Sequence, residues 1–306
     1  MIEKLASRIL IICTVTNTCN QTCKHCVTGA DTKNRKELNY EVIQSLLVTL
    51  KKMDQDFMIS FVGGEATVWS HFFPMIQQKE FQNIPFKMLY TNATAITSGD
   101  IDLIREAGFF EVRVSIDSDR KEEHDDLRGE GTFDRTITCV RDMIRKGISV
   151  TSATVMKKNN IGRLDDIIAF AKELGISVMH FLPFYMSGRG ILQKTLAVDE
   201  QDKAFIRVKI RTKYADRQRH SYAVCGDGTA YFKIDPEGNC ILQWKREKCP
   251  LGNLNTESFD VLYRRVVKER NLRVVDCRTC SCYGDPVLCE NMHIYCMDDI
   301  DNRGKD

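Results

Sequence analysis

Nowhere in this 306-residue chain do about 18 apolar residues run together, so the sequence offers no membrane-spanning helix. Charge of one sign is missing as well. Lys+Arg at 44 against Asp+Glu at 42 leaves a formal charge of +2, so no global field argues for nucleic acid or an anionic membrane as partner. The first residues, Met1 to Ser7, lack the apolar stretch of a secretory signal. Low-complexity tracts and internal repeats are absent too. A secreted disulfide scaffold is excluded by length and by an odd cysteine count, thirteen, which would leave a spare thiol. Those cysteines point instead to metal binding in a reducing cytoplasm.

What is present is an alternation. Short apolar runs recur at Ile9–Val15, Phe57–Val62, Phe86–Tyr90, Val112–Ile116, Ile148–Val155 and Val178–Leu182, each long enough for a strand and too short for a helix. Helical periodicity lies between them, with Val42, Ile43, Leu46, Leu47, Leu50 and Met53 on one face, and Phe133, Ile137, Val140 and Ile144 on another. Gly108, Gly147 and Gly175 follow periodic segments, where a left-handed helix cap favours glycine. Six strands alternating with helices imply an α/β fold with a parallel sheet and sites at the strands' carboxyl ends. Residues 1–190 are therefore expected to hold a partial (β/α)6 barrel of the TIM type, 191–222 a helical bridge and 223–306 a small cysteine-rich unit. The hairpin signal Asp235-Pro236-Glu237-Gly238-Asn239 sits in that last unit, as do eight of the thirteen cysteines.

Cys19, Cys23 and Cys26 stand directly after the first predicted strand, as Cys-Asn-Gln-Thr-Cys-Lys-His-Cys. Three thiolates in so short a loop can ligate three irons of a [4Fe-4S] cubane and leave the fourth iron open. Cysteines at this spacing also suit zinc, but a structural zinc site wants a fourth ligand nearby, and the loop offers none. The second predicted strand ends in Gly63-Gly64-Glu65-Ala66, the third in Tyr90-Thr91-Asn92, and the fourth reads Val114-Ser115-Ile116-Asp117-Ser118. Glycines at such an end let backbone approach a ligand closely.

In that order on consecutive strands, these motifs resemble the radical S-adenosylmethionine (radical SAM) superfamily. The resemblance implies that SAM chelates the open iron and is cleaved to a 5′-deoxyadenosyl radical. It implies that Gly63, Gly64 and Glu65 meet the amino group of SAM, although Ala66 replaces the usual proline. Asn92, Ser115 and Asp117 would meet its ribose and methionine portions, and Arg128 its carboxylate, a task suited to guanidinium geometry. Val155 and Leu182, near the fifth and sixth strand ends, fall where relatives contact adenine. His25 stands where many relatives place an aromatic residue.

Cys225, twelve residues and then Gly238, with a later Cys277-Arg-Thr-Cys280 pair, resembles the auxiliary-cluster extension called SPASM or its shortened twitch form. At least one auxiliary iron–sulfur cluster is implied, with ligands among Cys225, Cys277, Cys280, Cys282, Cys289 and Cys296. A zinc or reduced-thiol cluster is the alternative. Cys13 and Cys139 read as buried hydrophobes. Cys249 stands apart from both ligand groups, and a thiol is a good hydrogen-atom donor because its S–H bond is weaker than most C–H bonds. With the compact length, it makes the chain similar to radical SAM epimerases such as neomycin C epimerase. By that resemblance the substrate is an aminoglycoside whose aminosugar stereocentre is inverted without net oxidation, and Asp227, Asp298, Asp299 and Asp301 are acids that could meet its ammonium groups or simply be solvated. A flavodoxin- or ferredoxin-type donor would supply the electron. The rivals are a maturase of ribosomally made peptides, performing epimerisation, crosslinking or dehydrogenation, and a noncatalytic iron–sulfur or zinc scaffold.

Overall fold

β-Branched and apolar runs too short for helices pair side by side in the computed structural model, which describes residues 9–33, 35–53, 57–176, 178–213, 231–244, 247–270 and 292–295. Strands β1 (Ile9–Thr16), β2 (Phe57–Gly63), β3 (Lys87–Thr91), β4 (Glu111–Ser115), β5 (Val150–Met156) and β6 (Val178–Pro183) are all parallel, each paired to the next. The helices between them include α1 (Tyr40–Lys52), α2 (Ser98–Ala107), α3 (Lys121–Arg128), α4 (Thr132–Arg145) and α5 (Leu164–Glu173), followed by α6 (Glu200–Lys213). The result is the expected partial barrel. Every expected strand is present, with ends within about two residues of the sequence reading.

Local chemistry explains the boundaries. The Asn39 side chain accepts the Glu41 N–H at the start of α1, and Thr97 and Asp100 form a reciprocal capping box on α2. Gly108 ends α2 at φ 68°, the left-handed conformation that only glycine adopts without strain. The apolar face of α1, Val42, Ile43, Leu46, Leu47 and Leu50, is buried, each side chain contributing about 1.5–3 kcal/mol relative to exposure.

The sheet does not stop at six strands. Strand β7 (Tyr231–Ile234) pairs parallel to β1, and β8 (Asn239–Trp244) and β9 (Glu247–Asn253) continue it as antiparallel neighbours. At the other edge β10 (Met292–Tyr295) lies antiparallel to β6. The order is β10-β6-β5-β4-β3-β2-β1-β7-β8-β9. The predicted hairpin joins β7 to β8: Gly238 has φ 81°, and the Asp235 carboxylate accepts the N–H groups of Glu237 and Asn239. Helix α7 (Phe259–Arg270) packs Phe259 against Phe57 and Phe232. Cys13 and Cys139 are buried, as their sequence context implied. Among the described residues no helix is long and apolar enough to cross a membrane.

Candidate active site at the carboxyl ends of the strands

A parallel sheet gathers the carboxyl ends of its strands on one rim, and the chain leaves β1 there into the cysteine loop. The end of β2 pins that loop: the Gly64 N–H donates to the Thr16 carbonyl at 2.8 Å and the Glu65 N–H to the Thr18 carbonyl at 2.9 Å. A methyl group on Gly63 would lie 2.6 Å from the Thr16 carbonyl oxygen, and one on Gly64 2.3 Å from that of Thr18. Glycine is thus needed at both positions because the chain's own backbone passes close by on its way to Cys19, a contact the sequence reading did not foresee. Gly64→Ala should therefore displace Thr18 and lose most of the iron that wild type takes up on anaerobic reconstitution, with circular dichroism unchanged. Wild-type iron and sulfide content in that variant would contradict the account.

Glu65 ties the end of β2 to the end of β3. Its buried carboxylate accepts Thr67 N–H and hydroxyl, the Thr91 hydroxyl at 2.7 Å and the Asn92 N–H at 2.6 Å. Burial pushes its pKa up despite these donors. Asn92 in turn donates to Asn20 Oδ1 at 2.8 Å and approaches Cys19 Sγ at 3.9 Å, so β3 also holds the loop. Ala93, at φ 59°, turns the chain there in a conformation that L residues rarely adopt.

Opposite lies a buried charge cluster. Asp117 Oδ2 is 2.6 Å from Arg128 Nε and 3.2 Å from His25 Nε2, while Oδ1 accepts the Val155 N–H at 2.8 Å. Burial alone would raise the pKa of Asp117, but Arg128, then His25 and Lys157, outweigh it and hold the carboxyl far below its usual range. Arg128 thus spends its Nε on Asp117, with one terminal nitrogen 3.5 Å from His25. Burial lowers the His25 pKa to about 4, so the imidazole is neutral, and its Nδ1 is buried with no partner. Lys157, just past β5 and 1% exposed, adds a second buried cation that the sequence reading missed.

The three thiols sit between these groups. Cys19 and Cys23 are buried and Cys26 is half-buried. Burial pushes the Cys19 thiol up to about 12, with Glu65, Cys23 and Cys26 adding to the effect. At Cys26 burial acts the same way, but bonds from Thr28 and Ala30 and the Arg189 charge prevail and lower its pKa. Cys23 and Cys26 oppose ionisation of Cys19, so three thiolates here would need a cation, and their donor set suits iron. Among the described residues no three His, Cys, Asp or Glu side chains converge as a single metal ion requires. A cubane makes no such demand, because each thiolate takes its own iron. With these thiols and the orphaned His25 nitrogen on one rim, the residues present fit a cluster with a nucleoside-bearing ligand beside it.

The other expected residues are placed as follows. Ser115, Val155 and Leu182 are half-buried on their strands. Cys249 is half-buried in β9, paired with Leu242, which in turn pairs with Phe232 and so with Ile11. It is level with Ile11, the third residue of β1, three strands and thus about 14 Å aside. Cys240, in β8, is fully buried, and its thiol is pushed up to about 12 by burial. Cys225, Cys277, Cys280, Cys282, Cys289, Cys296, Asp227, Asp298, Asp299 and Asp301 lie outside the described residues. The sequence reading also passed over Arg189, whose Gly188-Arg189-Gly190 setting after the sixth strand was its one visible signal.

Comparison with known proteins bears on this geometry. The chain is 26% identical over 177 residues to the mycofactocin maturase MftC of Mycolicibacterium smegmatis, covering 58% of this chain and 44% of that protein. It is 28% identical over 182 residues to the AdoMet-dependent heme synthase of Oleidesulfovibrio alaskensis, covering 59% and 46%. The chain thus spans under half the length of these curated relatives. Its fold is similar to that of native anSMEcpe with bound AdoMet and Cp18Cys peptide, with a TM-score of 0.67 over 92% of this chain and 87% of that one, at 16% identity. The family model described as the radical SAM superfamily matches residues 13–171, from the middle of β1 through most of α5, with the cysteine loop inside the span. With more than half its length matched, and with the barrel and rim that go with it, the chain belongs to the radical SAM superfamily, whose members use a [4Fe-4S] cluster and SAM.

Proposed function

We propose that Cys19, Cys23 and Cys26 hold the catalytic [4Fe-4S] cluster, that the rim formed by Gly63, Gly64, Glu65, Asn92, Ser115, Asp117, Arg128, Val155 and Leu182 holds SAM, and that the enzyme inverts a carbon stereocentre without net oxidation. The convergence of three β-strand ends on the cysteine loop is the observation that carries the first part. Together, cluster and SAM supply the 5′-deoxyadenosyl radical, which removes a hydrogen atom from an unactivated substrate carbon. The chain's own tasks are to keep water out, to orient the substrate and to return a hydrogen atom to the opposite face.

For the return step we assign Cys249. Its thiol is only half-buried, so its hydrogen exchanges with solvent, and Sγ lies outside the cysteine loop. Transfer of that hydrogen atom to the carbon radical forms a C–H bond and leaves a thiyl radical, which a later electron and proton restore. From its place in β9 the thiol serves a substrate that extends from the rim over the β7–β9 edge, as an aminoglycoside of several rings would. An aminosugar is the substrate favoured, with a flavodoxin- or ferredoxin-type electron donor and an auxiliary cluster in the C-terminal cysteines. A ribosomally made peptide is the second reading, favoured by the names of MftC and of anSMEcpe bound to a peptide.

In deuterated water the product should gain one deuterium at the inverted carbon, measured by mass spectrometry, while the abstracted hydrogen appears in 5′-deoxyadenosine. Cys249→Ala should still make 5′-deoxyadenosine yet yield no inverted product. Normal epimer from the alanine variant, or a wild-type product lighter by two hydrogens, would rule the assignment out. The second of these would point to oxidation through an auxiliary cluster, as a crosslinking or dehydrogenating maturase requires.

A further inference from the structure

Arg189 lies just past β6, in the turn Gly188–Leu192, and its side chain is directed at the cysteine loop leaving β1. Nε donates to the Cys23 carbonyl at 2.8 Å, and the two terminal nitrogens donate to the carbonyls of Gly29 at 2.9 Å and Ala30 at 2.8 Å. The Arg189 N–H donates to the Cys26 carbonyl at 3.0 Å, and the Ser187 hydroxyl to the Val27 carbonyl at 3.2 Å. The approach is close: Gly188 has φ 55°, and a methyl group there would lie 2.3 Å from the Cys26 carbonyl oxygen.

Two physical features set this contact apart from an ordinary surface arginine. A loop outside helix and sheet leaves carbonyls without ladder partners, and here one planar fork satisfies three of them. Strands β1 and β6 are separated by four strands in the sheet and share no ladder, so the contact ties the last barrel strand to the loop of the first. The tie spans the cysteine motif itself, since Cys23 and Cys26 supply two of the bonded carbonyls. It also sets a cation on the cysteine loop, where a cubane held by three thiolates would carry net negative charge that grows on reduction.

We propose that Arg189 is a positioning residue for the iron–sulfur cluster, holding the loop in the conformation that presents Cys19, Cys23 and Cys26 and contributing to the field that sets the cluster's reduction potential. This rests on the cluster assignment made above. A fixed positive charge favours the reduced cluster, so its removal makes the potential more negative. Lysine keeps the charge but cannot fork to three carbonyls. The two parts of the proposal therefore separate by substitution.

In the anaerobically reconstituted full chain, Arg189→Gln and Gly188→Ala should each lose the SAM-responsive paramagnetic signal to an iron chelator roughly tenfold or more faster than wild type, as the loss of one or more charge-assisted bonds predicts. Gly188→Ala keeps the guanidinium and so controls for its charge. Redox titration of that signal should give a more negative midpoint for Arg189→Gln, and Arg189→Lys should recover the midpoint without recovering retention. Chelation within about twofold of wild type in both Arg189→Gln and Gly188→Ala overturns the positioning role. An unmoved midpoint in Arg189→Gln overturns the field role. If wild type takes up no SAM-responsive cluster, or if alanine at Cys19, Cys23 and Cys26 leaves that signal intact, the cluster assignment fails instead.

Discussion

Replacing Cys19, Cys23 and Cys26 together by alanine is expected to reduce 5′-deoxyadenosine formation to background while the barrel still folds. The reasoning is chemical before it is structural. Reductive cleavage of SAM needs an electron delivered through iron, and these thiols, the ligand set proposed above, lie in the loop that the ends of β1, β2 and β3 hold. The folding part follows from where the stability lies. The core is made of strand and helix faces, with Ile11, Ile59, Leu89, Val112 and Val114 completely buried, whereas the cysteine loop lies beyond it on the rim. Anaerobic assay of SAM cleavage, alongside circular dichroism, decides the matter. Wild-type rates in the triple variant would refute the assignment. Residual iron and sulfide in the same variant would locate a second cluster, and zinc without a cluster spectrum would favour the zinc reading of the C-terminal cysteines.

Asp117→Asn is expected to cost about 3–5 kcal/mol of stability, a large share of the roughly 5–15 kcal/mol of a typical domain. Asp117 is completely buried and faces Arg128, 2.6 Å away, with Lys157 close behind. An amide can still accept the Val155 N–H, but it leaves two buried cations uncompensated. The pH dependence carries a sign. The folded-state pKa of Asp117 is depressed below the unfolded value of about 3.9, so its contribution is fully present above that pH and is lost as the pH falls toward the folded-state value. Urea midpoints measured from pH 7 downward should therefore differ most between wild type and Asp117→Asn at neutral pH, and the gap should close below about pH 4. A gap that stays constant through that window would show that the destabilisation comes from packing rather than charge. SAM binding should weaken as well, because Arg128 takes its orientation from Asp117.

The six parallel strands were legible in the sequence, because apolar runs of strand length alternating with amphipathic helices leave few other arrangements, and so was the cysteine spacing of the first loop on which the proposed cluster rests, because that spacing is local. Local signals also placed the Asp235–Gly238 turn and the glycine helix stops. Sequence spacing was silent on contacts between residues far apart in the chain. It could not show that Gly63 and Gly64 lie against the backbone of Thr16 and Thr18. Nor could it show that Glu65 is spent on Thr67, Thr91 and Asn92, or that Arg128 meets Asp117 and His25. The addition of β7 to the β1 edge, and with it the place of Cys249 level with Ile11, depends on pairing across more than 200 residues. The Arg189 fork is the same kind of fact. Its three acceptors are backbone carbonyls, which every residue carries, so the sequence of the cysteine loop gives no sign of it, and only folding the last barrel strand beside the first brings donor and acceptors together.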